Sequence, residues 1–128
     1  MAGLVQPSHA LVNQWMFAGS GHWAESAKWQ TGVPKVGESV YIGSAPGTPL
    51  EVFVNASTAT ILHLGVGSVF GSPGGAVQHT LNIQDGAVLR VLLECTVEAQ
   101  GVIVVDAGGV LDIGDGIMTV KGSLVMNG

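Results

Sequence analysis

Aromatic residues make up only 5% of this 128-residue chain, and charged residues only 10%. With so few rings, the interior has to be assembled from Val, Leu, Ile and Ala, the bulk of a 47% hydrophobic content, packed in regular layers. With so few charges and 20 glycines, long solvated helices are excluded and many tight turns are expected. Positive charge is scarcest: Lys28, Lys35, Lys121 and Arg90 stand against nine acids, for a net charge of −5. They are too few and too scattered to neutralise a line of phosphates, which excludes nucleic acid as a partner. The lone Cys95 rules out an internal disulfide, and its apolar neighbours favour a small buried hydrophobe over a reactive thiol. No segment approaches the ~20 apolar residues of a membrane span, so membrane insertion is not expected. The opening MAGLVQPSHALVNQWMF lacks the basic start and apolar run of a secretion signal.

What remains is a repeating pattern. From Leu81 onward, two apolar residues flank one polar or outward position again and again, the period-two signature of a short strand. The inward pairs are Leu81/Ile83, Leu89/Val91, Cys95/Val97, Ile103/Val105, Leu111/Ile113, Met118/Val120 and Leu124/Met126. Every third pair repeats: Leu81 to Ile103 is 22 residues, Leu89 to Leu111 is 22, Cys95 to Met118 is 23 and Ile103 to Leu124 is 21. A constant period of this size predicts an all-β solenoid, a right-handed parallel β-helix of about four coils with three strands per ~22-residue coil. An antiparallel sandwich also has short alternating strands, but its hairpins have no reason to restore phase at every third strand.

Upstream, Val40 and Ile42 precede Leu62 and Leu64 by the same 22 residues, with Val52 and Val54 between, so coiling is expected to start near Val40. His63, between Leu62 and Leu64, then points outward. The stretch 65–79, with Pro73 beside two glycines, breaks the period and reads as a loop thrown out from a corner. Residues 1–39 differ in character, with Trp15, Trp23 and Trp29 and helical spacing around His9 to Phe17. They read as an N-terminal arm and cap over the first coil, and residues 40–128 as the β-helix itself.

The segments GHWAESAKWQTGVPKVGESVYI, VFVNASTATILHLGVGS and TLNIQDGAVLRV resemble the opening coils of autotransporter-type bacterial β-helix surface proteins and, more loosely, the glycine-rich G8 domain of extracellular proteins. The matching residues are Trp23, Trp29, Gly32, Pro34, Gly37, Glu38, Val40 and Ile42, and the likeness spans roughly residues 21–128. This chain departs from the pattern in carrying Glu38 where Asp is more usual, and in ending after about four coils, without a long passenger stalk. Pro34 and Gly37 suit a turn feeding the strand 39–42. Trp23 and Trp29 either fill the mouth of the first coil or offer ring faces to a sugar, which makes them the candidate ligand-binding residues.

Chemistry is sparse. Asp106, Asp112 and Asp115 form the one local acid cluster, as acid–base glycosidic cleavage would need. Two of them flank turn glycines and Asp112 occupies an ordinary outward strand position, so no catalytic residue is assigned. GGVLDIGDG resembles a calcium-binding solenoid turn but occurs once. His9, His22, His63 and His79 lack metal-ligand spacing, and neither a metal nor another cofactor is expected. Asn55-Ala56-Ser57 fits an N-glycosylation acceptor, a frequent chance match. The expectation is a non-enzymatic structural module forming a homo-oligomer, with a trimer favoured, on a larger surface such as a virion capsid or cell envelope. Leu124 and Met126 on the last strand are the candidate assembly residues. The alternative is a carbohydrate-binding or adhesive module that meets a surface glycan at the cell surface.

Overall fold

A computed structural model describes residues 12–43, 49–69, 72–73 and 77–127. Strand accounts for 52% of the structure and helix for 3%, with parallel sheets and no closed barrel. The chain is therefore all-β.

The strands are β1 (Val12–Gln14), β2 (Gly21–His22), β3 (Ser39–Ile42), β4 (Leu50–Val54), β5 (Ile61–Val66), β6 (Ser68–Val69), β7 (Ser72–Pro73), β8 (His79–Ile83), β9 (Val88–Val97), β10 (Gly101–Val105), β11 (Val110–Asp112), β12 (Ile117–Val120) and β13 (Ser123–Met126). One sheet runs β1-β3-β5-β9, with β11 paired to the first half of β9 and β12 to the second. The other runs β2-β4-β8-β10-β13, and all these pairings are parallel. The small β6–β7 pair is antiparallel.

The register follows the 22-residue period wherever turns are short. Leu81 pairs with Ile103, Leu89 with Leu111, Cys95 with Met118 and Ile103 with Leu124. Inward residues therefore stack in columns. Val52, Leu81 and Ile103 form one and Leu64 and Cys95 another, all fully buried within a single aliphatic core. Alternation supplies this core: β4 reads buried, half-buried, buried along Leu50–Val54, because successive side chains leave opposite faces of a strand. Between Ala87 and Ile103, each buried aliphatic side chain contributes about 1.5–3 kcal/mol relative to exposure.

Turns close on glycine where nothing else fits. Gly108 has φ +86°, and a Cβ there would collide with the Asp85 carboxylate, which lies over it. At Gly101 the obstacle is the carbonyl of Val66, so the strand above approaches too closely for any side chain.

Several expectations need correction. Residues 12–14 are a strand, with Trp15 in a bridge, rather than a helix; His9 to Leu11 lie outside the described residues. Parallel pairing starts at Val12, which lies beside Ser39, rather than near Val40. The 22-residue match of Val40 to Leu62 is also two residues off. Val40 pairs with Leu64 and Ile42 with Val66, and Leu62 N already donates to Glu38 O, so the chain between β3 and β5 is two residues longer than the period; the irregularity beside Leu62 belongs to β9, where Leu92 and Leu93 stand against it. Ile61 takes the core position and Leu62 is only half-buried. The expected loop at 65–79 is shorter than its stated bounds, since Gly65 and Val66 complete β5 and His79 opens β8. Near the far end, Val120 is exposed and Leu111, Ile113 and Met118 are only partly buried, because no further strand covers them among the described residues.

Candidate functional site

The two ends of the strand stack are built differently, and the first is closed by the chain itself. Trp29 sits between two other indoles, its ring 5.1 Å from Trp15 at 89° and 5.0 Å from Trp23 at 67°. These are edge-to-face contacts, the arrangement that aromatic quadrupoles favour. The Trp29 Nε1 donates to the Trp23 carbonyl at 2.8 Å and the Trp15 Nε1 to the Gly19 carbonyl at 3.1 Å. The segment around Trp29 lies across the edge of β1: Met16 N donates to Lys28 O and Gln30 N to Gln14 O, both at 2.8 Å. Among the described residues the edge of β1 is therefore covered, while β2, the end strand of the other sheet, has the His22 N–H and C=O engaged by Glu25.

Two polar side chains lock this cover in place. Asn13 is fully buried; its Nδ2 donates to Gly32 O at 2.7 Å and to Glu38 Oε1 at 3.1 Å, and its Oδ1 accepts from Thr31 N. Glu38 Oε1 also accepts the Lys35 N–H at 2.9 Å, which closes the turn that Pro34 begins and Gly37 (φ +84°) completes. The acid after Gly37 is thus a turn-closing acceptor, and the longer Glu reaches both donors. On the outer surface, Glu25 takes the His22 N–H and the Lys28 ammonium, and these hold its carboxyl below the usual value.

Trp23 and Trp29 are 3% and 4% exposed, so both rings face inward and offer no flat face to a sugar. Their burial fits the filling of the stack's mouth. Trp23 borders a recess of about 120 Å³ with Val33, Asn55, Ser57 and Thr58, and its Nε1 is buried with no partner among the described residues.

At the second end no strand follows β13 among the described residues. Leu124 is 38% and Met126 63% exposed, and Val110, Ile117, Val120 and Val125 are exposed beside them. The stretch Ile117–Asn127 carries one charge, Lys121, whose Nζ lies 3.5 Å from Glu98. β13 pairs with β10 on one side and with nothing on the other among the described residues. Leu92 and Leu93 are exposed at a corner of β9, where Leu92 borders a recess lined also by Arg90, Asp112 and Asp115. Sequence alternation missed these two leucines because it joined Leu89/Val91 and Cys95/Val97 through an assumed turn; the run of consecutive apolar residues at 91–93 was the available signal.

The remaining candidates are dispersed or already engaged. Asp112 accepts from Arg90 at 3.1 Å and from Gly114 N at 3.0 Å, and Asp106 accepts from Asn127 at 3.4 Å. Ser39 Oγ lies 2.9 Å from His63 Nδ1 on the adjacent strand, and Glu94 is in register beyond His63. Cys95 is wholly buried; burial first, and the Glu94 charge second, push its thiol up to about 12. No group of three metal-ligating side chains occurs among the described residues.

No family model, curated protein or solved structure matches this sequence.

Proposed function

We propose that the chain is a short right-handed parallel β-helix, a non-enzymatic structural module that assembles as a homo-oligomer on a larger surface such as a virion capsid or cell envelope. Parallel strands recurring every 21–23 residues from Leu81 to Met126 support the helix, and crossovers between parallel strands are right-handed in about 98% of cases. The assembly role rests on one observation: Leu124 and Met126 lie exposed on a strand that no other strand covers among the described residues, while three tryptophans pack together at the opposite end. Monomeric proteins rarely leave a contiguous apolar patch beside a bare edge, because the combination invites association. Absence of catalysis is supported by the engagement of Asp106 and Asp112 in structural contacts.

The test is fractionation of the source cells or particles. The wild-type chain is expected to sediment with a particle or envelope fraction, and Leu124→Lys/Met126→Lys to stay in the small soluble fraction. Wild-type protein found only in the small soluble fraction would overturn the reading.

A further inference from the structure

A buried donor at the tryptophan-packed end has no partner, and its residue forms a wall of a recess. Trp23 is 3% exposed, and its Nε1 makes no hydrogen bond among the described residues. The rest of the residue is engaged: its backbone N–H donates to Phe53 O, its carbonyl accepts from Trp29 Nε1, and its ring meets that of Trp29 at 5.0 Å. A buried donor without a partner is unfavourable, and an acceptor brought to it from outside reverses the loss. The recess holds about 120 Å³ beside the turn that follows β4. That is about four times the liquid volume of one water molecule, so it takes a group of roughly four non-hydrogen atoms.

The lining selects the group. Val33, Ala56 and Ala59 offer methyl-sized apolar contacts, Asn55, Ser57 and Thr58 each carry a side-chain oxygen, and no charged residue lines the recess among the described residues. An acetamido group combines a methyl, a carbonyl acceptor and an N–H donor in a unit of that size, and it is uncharged. Outside the recess, Phe53 stands half-buried on the outward face of β4, two residues before Asn55. The exposed His22 ring lies 5.7 Å from Phe53, with its Nδ1 3.5 Å from Asn55 Nδ2. An aromatic ring, an imidazole and an amide side by side suit the apolar C–H surface and the hydroxyls of a pyranose.

We infer that this recess is a binding site for N-acetylated amino sugars, with the acetamido group seated against Trp23 and its carbonyl accepting the Nε1–H. Contact is made by the indole edge, so it is compatible with the covered ring faces. The site goes beyond the assembly role and is independent of it: β2 and β4 lie at one end of the sheet and β13, with Leu124 and Met126, at the other.

Titration of the isotope-labelled 128-residue chain with N-acetylglucosamine, read by nuclear magnetic resonance on the three indole N–H signals, tests this. The Trp23 signal, assigned by its loss in Trp23→Phe, should move and saturate, with half-saturation below about 10 mM. Glucose, which lacks the acetamido group, should leave it in place. Ala56→Leu, at an exposed turn position, fills the recess and should raise the half-saturation point at least about tenfold. Because that variant can disturb the turn, its melting curve is compared with wild type, and the contrast between the two sugars on the wild-type chain gives a reading free of any substitution. No saturable shift, an equal shift with glucose, an equal shift with an N-acetyl-lysine amide, or undiminished binding by Ala56→Leu would each overturn the assignment.

Discussion

Replacing Trp29 tests whether the tryptophans hold the first end closed. Trp29→Ala deletes a ring that is 4% exposed, together with two edge-to-face contacts at 5.1 and 5.0 Å; loss of a buried indole costs about 3–5 kcal/mol. The variant also strands the buried Trp23 carbonyl that accepts its Nε1–H at 2.8 Å, at about 1–3 kcal/mol. Trp29→Phe keeps much of the ring contact and loses the hydrogen bond, so it should fall near that second figure alone. Equilibrium unfolding in urea, followed by circular dichroism and by the fluorescence of Trp15 and Trp23, reads both. With a slope near 2 kcal/mol per molar, the two losses together should lower the Trp29→Ala midpoint by about 2–4 M. A smaller slope as well would mean that the freed end frays ahead of the rest. A midpoint within about 0.5 M of wild type, with emission unchanged, would refute the capping role and return the ring to the surface as a ligand contact.

Three further perturbations probe the core and the turns. Cys95 holds its proton to about pH 12 when folded, against an ordinary value of 9.0, so the unfolded chain releases that proton first; stability should fall by about 1.4 kcal/mol per pH unit between those values, and a thiol reagent at pH 8 should label only denatured protein. A pH-independent stability across that window would contradict it. Gly101→Ala drives a methyl into the Val66 carbonyl and should cost more than 2 kcal/mol by thermal melting, whereas Gly86→Ala, at φ +84° with open space around it, should cost only about 1–2 kcal/mol of backbone strain; equal losses would refute the close approach. Ile61→Ala should cost about 2–5 kcal/mol and Leu62→Ala clearly less, and the reverse ranking in denaturant melts would restore the register expected from sequence.

The columns from Leu81 to Leu124 were legible because their turns have nearly constant length, so apolar alternation and period agree on one register. Upstream they part company. ILHLGV places apolar residues at 61, 62, 64 and 66, which fits two registers, and what sets the register is a connection from β3 to β5 two residues longer than the period, which the alternation inside the strand does not reveal. β9 hid for the opposite reason: it continues from Val88 to Val97 without the expected break, carrying Leu92, Leu93 and Glu94 across a corner exposed. At the closed end, composition marked the tryptophans as cap material. The contacts that fix them come from Asn13 and Glu38, 25 residues apart and each unexceptional alone. The second end was visible as apolar residues on a last strand, but its asymmetry with the other end needed the path of the chain around Trp29.

The segment between β5 and β8 has a practical consequence. Val52 still meets Leu81 and Val54 still meets Ile83 at a spacing of 29 residues, although the neighbouring register repeats at 22. Additional chain leaves at Gly67 and rejoins by His79 without disturbing the columns on either side. That corner is a natural graft point: a foreign peptide or small domain inserted within 70–76 would be carried on a rigid parallel base, and the molecule could serve as a display scaffold whose cargo and framework are selected independently.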